Sequence, residues 1–494
     1  MRRTWWLPAA AAVVSGLTFM IAKDSLTDDA YITLAYAKNL ALHGEWALIP
    51  GHPANTATSP LNVGLIGFVA FLTRVSGSVH PVLALGIVNV LAGAAIGWAW
   101  ARLCSIRPPD GGPPPPRSIR PPDGGPPPPR LPTLAAVLGT LVALLNPLLL
   151  SALGLEVLLI AAMLILLVSY AEQPIAFGVL SGLALLTRLD LIVFVVVIGL
   201  SSAPVRRHAL RVVGLVLLVA LPWSVFSWFY FGSAVPDTLA IKQLQPSFGT
   251  SYFETGIDQM WHGNELTVLT FAPAELGVLV LVVSLCLRRF GPMEALGLSG
   301  IAYYAVYSVL GVPAYHWYYV PPIVALGMSG AGIAGSWLNP ARTGALALVG
   351  ALVIAYVPAG FLGRGWVWTS PPFFGNWASA RDYARVGAEL NRRLDGAATG
   401  GPGEIGTLAF FCDCAIVDGF SDRGLVGPEI RKRIDRAGPV TRWLLNLNYA
   451  RFEWSQRPIR LTYQMQYLPG AGADDWTVSS AAKGVGHFVL VPTR

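Results

Sequence analysis

Charge is scarce in this chain. Only 12% of its 494 residues are Asp, Glu, Lys or Arg, against roughly 25% in soluble domains, and this excludes an ordinary water-soluble globule. The formal charge of +7 does not point to nucleic acid, because the basic residues lie scattered in short loops between apolar runs. That placement is a membrane-orientation signal. Cysteine is equally sparse, and four residues are too few for a disulfide framework. Cys104 and Cys286 fall beside arginines at helix ends expected in the cytoplasm, where thiols stay reduced. Cys412 and Cys414 either form a bridge across one residue, which is strained, or are two small apolar strand residues.

What the chain has instead is apolar length. Hydrophobic residues make up 54% of it, and the mean hydropathy is +0.56. Apolar runs recur at about 5–22, 81–103, 132–153, 157–170, 175–187, 189–202, 212–230, 273–290, 295–312, 318–338 and 343–362, which predicts about eleven transmembrane helices. The first follows Met1-Arg2-Arg3 and has the charge pattern of a signal peptide, but residues 19–24 offer a poor cleavage site. Its eighteen residues cover roughly 27 Å as a helix, enough to span a bilayer.

With Met1 inside a plasma membrane, eleven crossings put Arg102, Arg107, Arg117, Arg120, Arg130, Arg206, Arg207, Arg211, Arg288, Arg289 and Arg342 in cytoplasmic loops. The short external loops after the first hold only Arg188 and Lys242, as the positive-inside rule requires. Counting the apolar stretch 60–72 as a crossing would reverse this, so it reads as an interfacial or re-entrant helix. Residues 105–117 repeat as 118–130 within the loop 104–131. This proline-rich duplication is either a polyproline ligand for a partner or a tolerated insertion in a cytoplasmic loop. The runs 157–170 and 175–187 are short for a bilayer, and helices that stop inside it border protein or a wet cavity. Past residue 363 charge returns. The stretch 380–393 has helical spacing, and 406–411 and 488–491 read as strands. The expected division is a transmembrane domain at 1–363, with a first external loop at 23–80, and an extracytoplasmic α+β domain at 364–494.

The candidate chemistry gathers at the external face. Asp28 and Asp29 directly follow the first run; they either form a repelling pair with one raised pKa or a bound cation, or Thr27 or Asp28 caps the next helix, whose positive end suits acids. Glu156 sits at an outer turn between apolar helices, where an ionisable group is costly and functional by default, or else is a boundary acid in water. Arg188 and Asp190 occupy another outer turn, paired with each other or with Arg188 facing a phosphate. Lys242 and His316 complete the set as phosphate partners or headgroup anchors. Glu275 reads as a helix-start acid.

The ordered pieces Asp28-Asp29-Ala30-Tyr31-Ile32, Tyr36-Ala37-Lys38-Asn39-Leu40, Thr58-Ser59-Pro60-Leu61, Gly154-Leu155-Glu156, Thr187-Arg188-Leu189-Asp190 and Phe231-Gly232-Ser233-Ala234-Val235-Pro236-Asp237-Thr238, with Lys242, resemble the actinobacterial GT-C glycosyltransferases. Among these the likeness is to the mycobacterial terminal arabinofuranosyltransferases that use decaprenyl-phosphoryl-arabinose, and it covers about 240 residues. It implies a polytopic, membrane all-α GT-C bundle with Asp28 and Asp29 as the catalytic pair and Glu156 and Arg188 near the donor. It also implies a polyprenyl-phosphate-sugar donor and an envelope glycan or glycolipid acceptor. This chain departs from the family at Ala35 (usually arginine), Asn62 (tryptophan), Leu189 (proline), Asp190 (glutamate) and Asp237 (asparagine), which puts sugar and acceptor in doubt. The expected chemistry is attack of an acceptor hydroxyl, deprotonated by Asp28 or Asp29, with Arg188, Lys242 or His316 stabilising the leaving phosphate. A divalent metal at the carboxylates is a further option. A transporter or flippase of polyprenyl-linked glycan is the rival class, since it shares intramembrane charges and broken helices.

Overall fold

The computed structural model describes residues 4–105, 132–242, 252–337, 341–361, 367–472 and 476–493. All but the first residue of the proline-rich tandem repeat lies outside the described residues. Within them, four helices are long and apolar enough to cross a membrane: Pro81–Ser105, Thr133–Ser151, Ala209–Tyr230 and Leu266–Cys286. Six further apolar helices are shorter, among them Trp6–Ala22, Val157–Ser169, Pro174–Thr187 and Leu189–Ser201. The stretch set apart by its length forms the helix Pro60–Leu72 at the expected bounds.

Helix exposure sorts the bundle. Val320–Ser336 is apolar on every side and buried along nearly its whole length, as a helix at the centre of a bundle must be. It packs on Leu266–Cys286, Pro292–Val309 and Thr133–Leu144. Ala209–Tyr230 is the opposite case, with only 6% of its apolar window buried, so its side chains face lipid. Trp6–Ala22 lies against Pro81–Ser105 through small residues, the usual way membrane helices approach closely. A Cβ at Gly97 would fall 2.4 Å from the Leu7 carbonyl oxygen. Leu266–Cys286 begins upstream of the expected run, so Glu275 is an exposed mid-helix residue and not a helix-start acid.

The C-terminal segment mixes helices with a five-stranded sheet, in the spatial order 416–417, 399–400, 463–469, 484–492, 477–480. Strand 399–400 pairs in parallel with both of its neighbours, 416–417 and 463–469, whereas 484–492 pairs antiparallel with 463–469 and 477–480. The expected helix appears as Ala380–Leu394, with the Ser379 hydroxyl accepting from the Asp382 N–H, and the strand expected at 488–491 lies within Gly484–Pro492. The run 406–411 is not a strand. It forms the helix Gly406–Cys412, because its first N–H groups find a partner that no local pattern reveals. Cys412 at its end is disulfide-linked to Cys414.

That partner is Asp28. One carboxylate oxygen accepts from Ile405 N and Gly406 N, both at 3.1 Å, and the other from Thr407 N at 2.7 Å and Thr407 Oγ1 at 2.6 Å. Orphan N–H groups at a helix start are thereby satisfied by a charged acceptor from elsewhere in the chain. The contact is close: a Cβ at Gly406 would lie 2.1 Å from the Asp28 carbonyl oxygen and 2.8 Å from Ile32 N. Asn376 adds a clamp, accepting from Asp28 N and donating to the Leu26 carbonyl, each at 2.9 Å. Tyr31 packs on Phe410 and Phe411, and Lys38 donates to the Phe410 carbonyl at 3.1 Å and to the Asp413 carboxylate. A half-buried acid, Glu404, lies behind this contact. Burial, and secondly the charge of Asp28, push the Glu404 carboxyl up to about 8, although Tyr383 and the Trp377 N–H bond to it.

Two outcomes follow from this docking. Gly406→Ala forces the two helices apart, and overpacking of this kind costs about 1–3 kcal/mol; thermal unfolding in detergent should start at lower temperature, with faster proteolysis of the C-terminal segment. The second concerns pH. A carboxyl raised from 4.5 to about 8 keeps its proton when folded while the unfolded chain has lost it. The contribution of this group to stability is therefore greatest below pH 4.5 and falls as pH rises to about 8. Glu404→Gln should flatten that fall in melting curves recorded from about pH 5 to about pH 8.5.

Candidate active site

The helix Pro174–Thr187 ends where Arg188 turns extended, with φ −160° and ψ 134°, before a 3-10 turn at Leu189–Leu191. This break carries the Arg188 side chain into the protein, where it is bracketed by two acids. Its Nη1 donates to Glu156 Oε1 at 3.0 Å, Nη2 donates to Asp190 Oδ2 at 2.5 Å, and Nε reaches both Asp190 oxygens at 3.1 Å. Two tyrosines of the helix Pro292–Val309 finish the network. Tyr303 donates to Asp190 at 2.9 Å, Tyr307 donates to the same oxygen, and Arg188 Nη2 reaches Tyr307 Oη at 3.1 Å. The guanidinium also sits 4.9 Å from the Tyr318 ring. The pairing of Arg188 with Asp190 and its use in a wider site are thus both present.

Arg188 and Asp190 open onto a cavity of about 340 Å³ whose walls include Leu189, Pro236, Leu310, Val312 and Pro313. A smaller pocket of about 30 Å³ adjoins it, lined by Asp29, Glu156, Thr33, Thr56 and Phe420. Thr58, Thr238, Lys242 and Trp317 belong to both, so the two are lobes of one site, the larger apolar and the smaller polar. Lys242 stands between them, its Nζ 3.9 Å from Asp29 and over the rings of Tyr315 and Trp317 at 4.7 and 4.9 Å. Glu156 is 3% exposed, and its second oxygen, Oε2, is buried with no hydrogen-bond partner among the described residues. It is an acceptor held ready at the polar lobe.

The two aspartates part company here. They follow each other at the start of the helix Asp28–His43, yet Asp29 lines the polar lobe while Asp28 is spent on the Gly406–Cys412 helix. Neither Thr27 nor Asp28 caps its own helix, since Thr27 in the cap position makes no side-chain bond. Burial raises the Asp28 carboxyl and so, to a lesser degree, does Asp29, against the lowering bonds from Thr407 and Gly406. His316 lines neither lobe. It is buried, stacked on Phe374 with ring centroids 5.0 Å apart, and burial pushes its imidazole down to about 3. Of the seven residues singled out from the sequence, the structure gathers Asp29, Glu156, Arg188, Asp190 and Lys242 around one site.

Residues that the sequence did not single out include Tyr303, Tyr307, Trp317 and Phe420. Both tyrosines lie in an otherwise apolar helix with nothing to distinguish them. Trp317 is one of several aromatics in the run Tyr315–Tyr319, and Phe420 comes from the C-terminal segment, its carbonyl accepting from Thr56 Oγ1 at 2.6 Å. Among the described residues no group of three or more His, Cys, Asp or Glu is placed to hold a metal ion.

No family model and no curated protein matches this chain. Its fold is nevertheless shared with solved structures. The crystal structure of ArnT from Cupriavidus metallidurans in the apo state aligns over 98% of this chain and 97% of its own, with a TM-score of 0.55 at 14% identity. The same protein bound to undecaprenyl phosphate aligns over 98% of both chains, with a TM-score of 0.55 at 16% identity. At that identity the likeness establishes the fold: this chain has the architecture of ArnT along nearly its whole length.

Proposed function

We propose that this chain is a membrane glycosyltransferase of the GT-C type. It moves a sugar, arabinofuranose or a similar pentose or hexose, from a polyprenyl-phosphate donor to a cell-envelope glycan or glycolipid acceptor. The observation that carries this reading is one site joining an apolar lobe with Arg188 and Lys242 to a polar lobe with Asp29 and Glu156, in a fold like that of a protein crystallised with undecaprenyl phosphate. A polyprenyl phosphate needs apolar walls and a cation, and the acceptor hydroxyl needs a base. In this reading the chain crosses the plasma membrane about eleven times with its N-terminus cytoplasmic. Residues 1–363 form the transmembrane domain and 364–494 an extracytoplasmic one.

The acceptor oxygen attacks the anomeric carbon, the bond from that carbon to the phosphate oxygen breaks, and its electron pair leaves on the phosphate. Asp29 takes the hydroxyl proton. Lys242, between the lobes, stabilises the charge gathering on the departing phosphate. Arg188 faces the same lobe with its direction fixed by Glu156 and Asp190, and Glu156 Oε2 accepts from a sugar hydroxyl. Asp28, expected as half of a catalytic pair, is here a positioning residue that holds the helix carrying Asp29 against the C-terminal segment. His316, expected as a substrate partner, lies outside both lobes and packs on Trp317 with ring centroids 4.9 Å apart.

The test is transfer by the purified protein from a panel of polyprenyl-phosphate sugars; no transfer from any member would sink the reading. Asp29→Asn should lower transfer at least about 100-fold, the low end of what general-base assistance contributes, with an unchanged melting temperature. Asp28→Asn should do the reverse first. An amide presents its NH2 to N–H donors that a carboxylate accepted, so stability falls by about 1–3 kcal/mol and the melting curve moves before the chemistry does. Near-wild-type transfer by Asp29→Asn would remove it as the base.

Lys242→Gln is the cleaner probe of the phosphate role, because Arg188 removal leaves Glu156 and Asp190 buried without their cation and unfolds the site at about 3–5 kcal/mol. Loss of Lys242 should reduce transfer by about 100-fold at constant melting temperature, read in the same assay.

A further inference from the structure

One helix of the C-terminal segment is dressed for a different solvent from its neighbours. Pro439–Asn448 buries none of its residues fully. Val440, Trp443, Leu444 and Leu447 are 72, 64, 51 and 53% exposed, and their spacing of i, i+3, i+4 and i+7 puts them in one stripe along the helix. Leu445, on another face, is the anchor, packed on a small core that includes Ile434, Tyr449 and Phe452. A stripe of four large apolar side chains left in water would be an uncompensated cost in a soluble domain.

The position of the stripe says what covers it. Trp228, near the end of the lipid-facing helix Ala209–Tyr230, donates its indole N–H to the Leu447 carbonyl at 3.1 Å. Arg451 lies over the rings of Trp228 and Phe229 at 5.1 and 4.3 Å, and Phe229 is itself 58% exposed. Aromatic residues at the end of a span mark the depth of the headgroups. The exposed stripe therefore continues the lipid-facing surface of that span, at the level where hydrocarbon gives way to headgroups. The preceding helix, Arg423–Arg436, ends with Arg431, Lys432, Arg433 and Arg436 against the acids Glu429 and Asp435, Lys432 pairing with Glu429 at 2.6 Å, so the segment leading into the stripe carries a net positive charge.

We propose that Pro439–Asn448 lies in the membrane surface, its Val440, Trp443, Leu444 and Leu447 stripe sunk among acyl chains and the adjoining net-positive segment on anionic headgroups. An amphipathic helix with basic flanks binds an interface in this way, its apolar face roughly 5–10 Å below the headgroups. The proposal does not rest on the transferase reading. It gives the C-terminal segment a second hold on the bilayer, separate from the Asp28 contact.

The experiment uses the full chain in nanodiscs of phosphatidylcholine with phosphatidylglycerol. Cys104→Ser and Cys286→Ser clear the free thiols, and single substitutions Val440→Cys, Leu444→Cys, Leu447→Cys and Asn446→Cys each carry a nitroxide. Collisions with oxygen, which concentrates in lipid, are compared with those of a water-soluble nickel chelate. The expected result is an oxygen preference at 440, 444 and 447, a nickel preference at 446, and a shallower depth at 444 when phosphatidylglycerol is omitted. Nickel access at 444 and 447 equal to that at 446 would overturn the proposal. So would shielding from both reagents with spin–spin broadening, which would mean that a second copy of the chain covers the stripe.

Discussion

The arrangement depends on one half-buried carboxylate. Asp28 gives both oxygens to the first N–H groups of the Gly406–Cys412 helix, and that contact fixes how the C-terminal segment sits on the apolar bundle. Everything the segment contributes to the site follows from it. Phe420 reaches the polar lobe, and its carbonyl takes the Thr56 hydroxyl. Asn448 accepts from Ala234 N and Val235 N, each at 3.0 Å, steadying the loop that leads to Thr238 and Lys242. The site is thus closed from two sides, with the Asp28 cap as the charged contact among several that join them. Because that cap is charged, losing one oxygen costs more than losing an ordinary hydrogen bond.

Charge balance explains why the cations are held so differently. Arg188 faces Glu156 and Asp190, so its neighbourhood is formally negative by one unit before any substrate arrives. A guanidinium in a rigid fork suits that bracketing, since each N–H has a set direction. Lys242 has one carboxylate at 3.9 Å and two aromatic faces, contacts that hold a point charge without saturating its three donors. In the proposed reaction, a phosphate in the apolar lobe meets Lys242 with donors to spare and Arg188 as a wall of known orientation.

Much of this was legible before folding. Apolar periodicity gave the helices, the length of the stretch 60–72 set it apart, and Glu156, Arg188, Asp190 and Lys242, separated along the chain by up to 86 residues as numbered, meet at one site because each sits where an apolar run stops. A chain in lipid leaves charge at such breaks only where protein or water receives it. What could not be read depends on tertiary partners. The 406–411 run has the look of a strand because apolar residues cluster there, and a helix wins only because Asp28 pays the cost of its unbonded N–H groups. His316, equally polar and equally near, turns to Phe374 instead of the cavity, and nothing in the Tyr315–Tyr319 run tells the two directions apart.

The adjacent aspartates carry the point furthest. Successive side chains on a helix point about 100° apart, so two neighbours at a helix start can meet different surroundings. Here Asp28 meets the Gly406–Cys412 helix and Asp29 meets Lys242. In this chain the two neighbours therefore have different surroundings, and the residue that docks the C-terminal segment sets the direction of the one that lines the cavity.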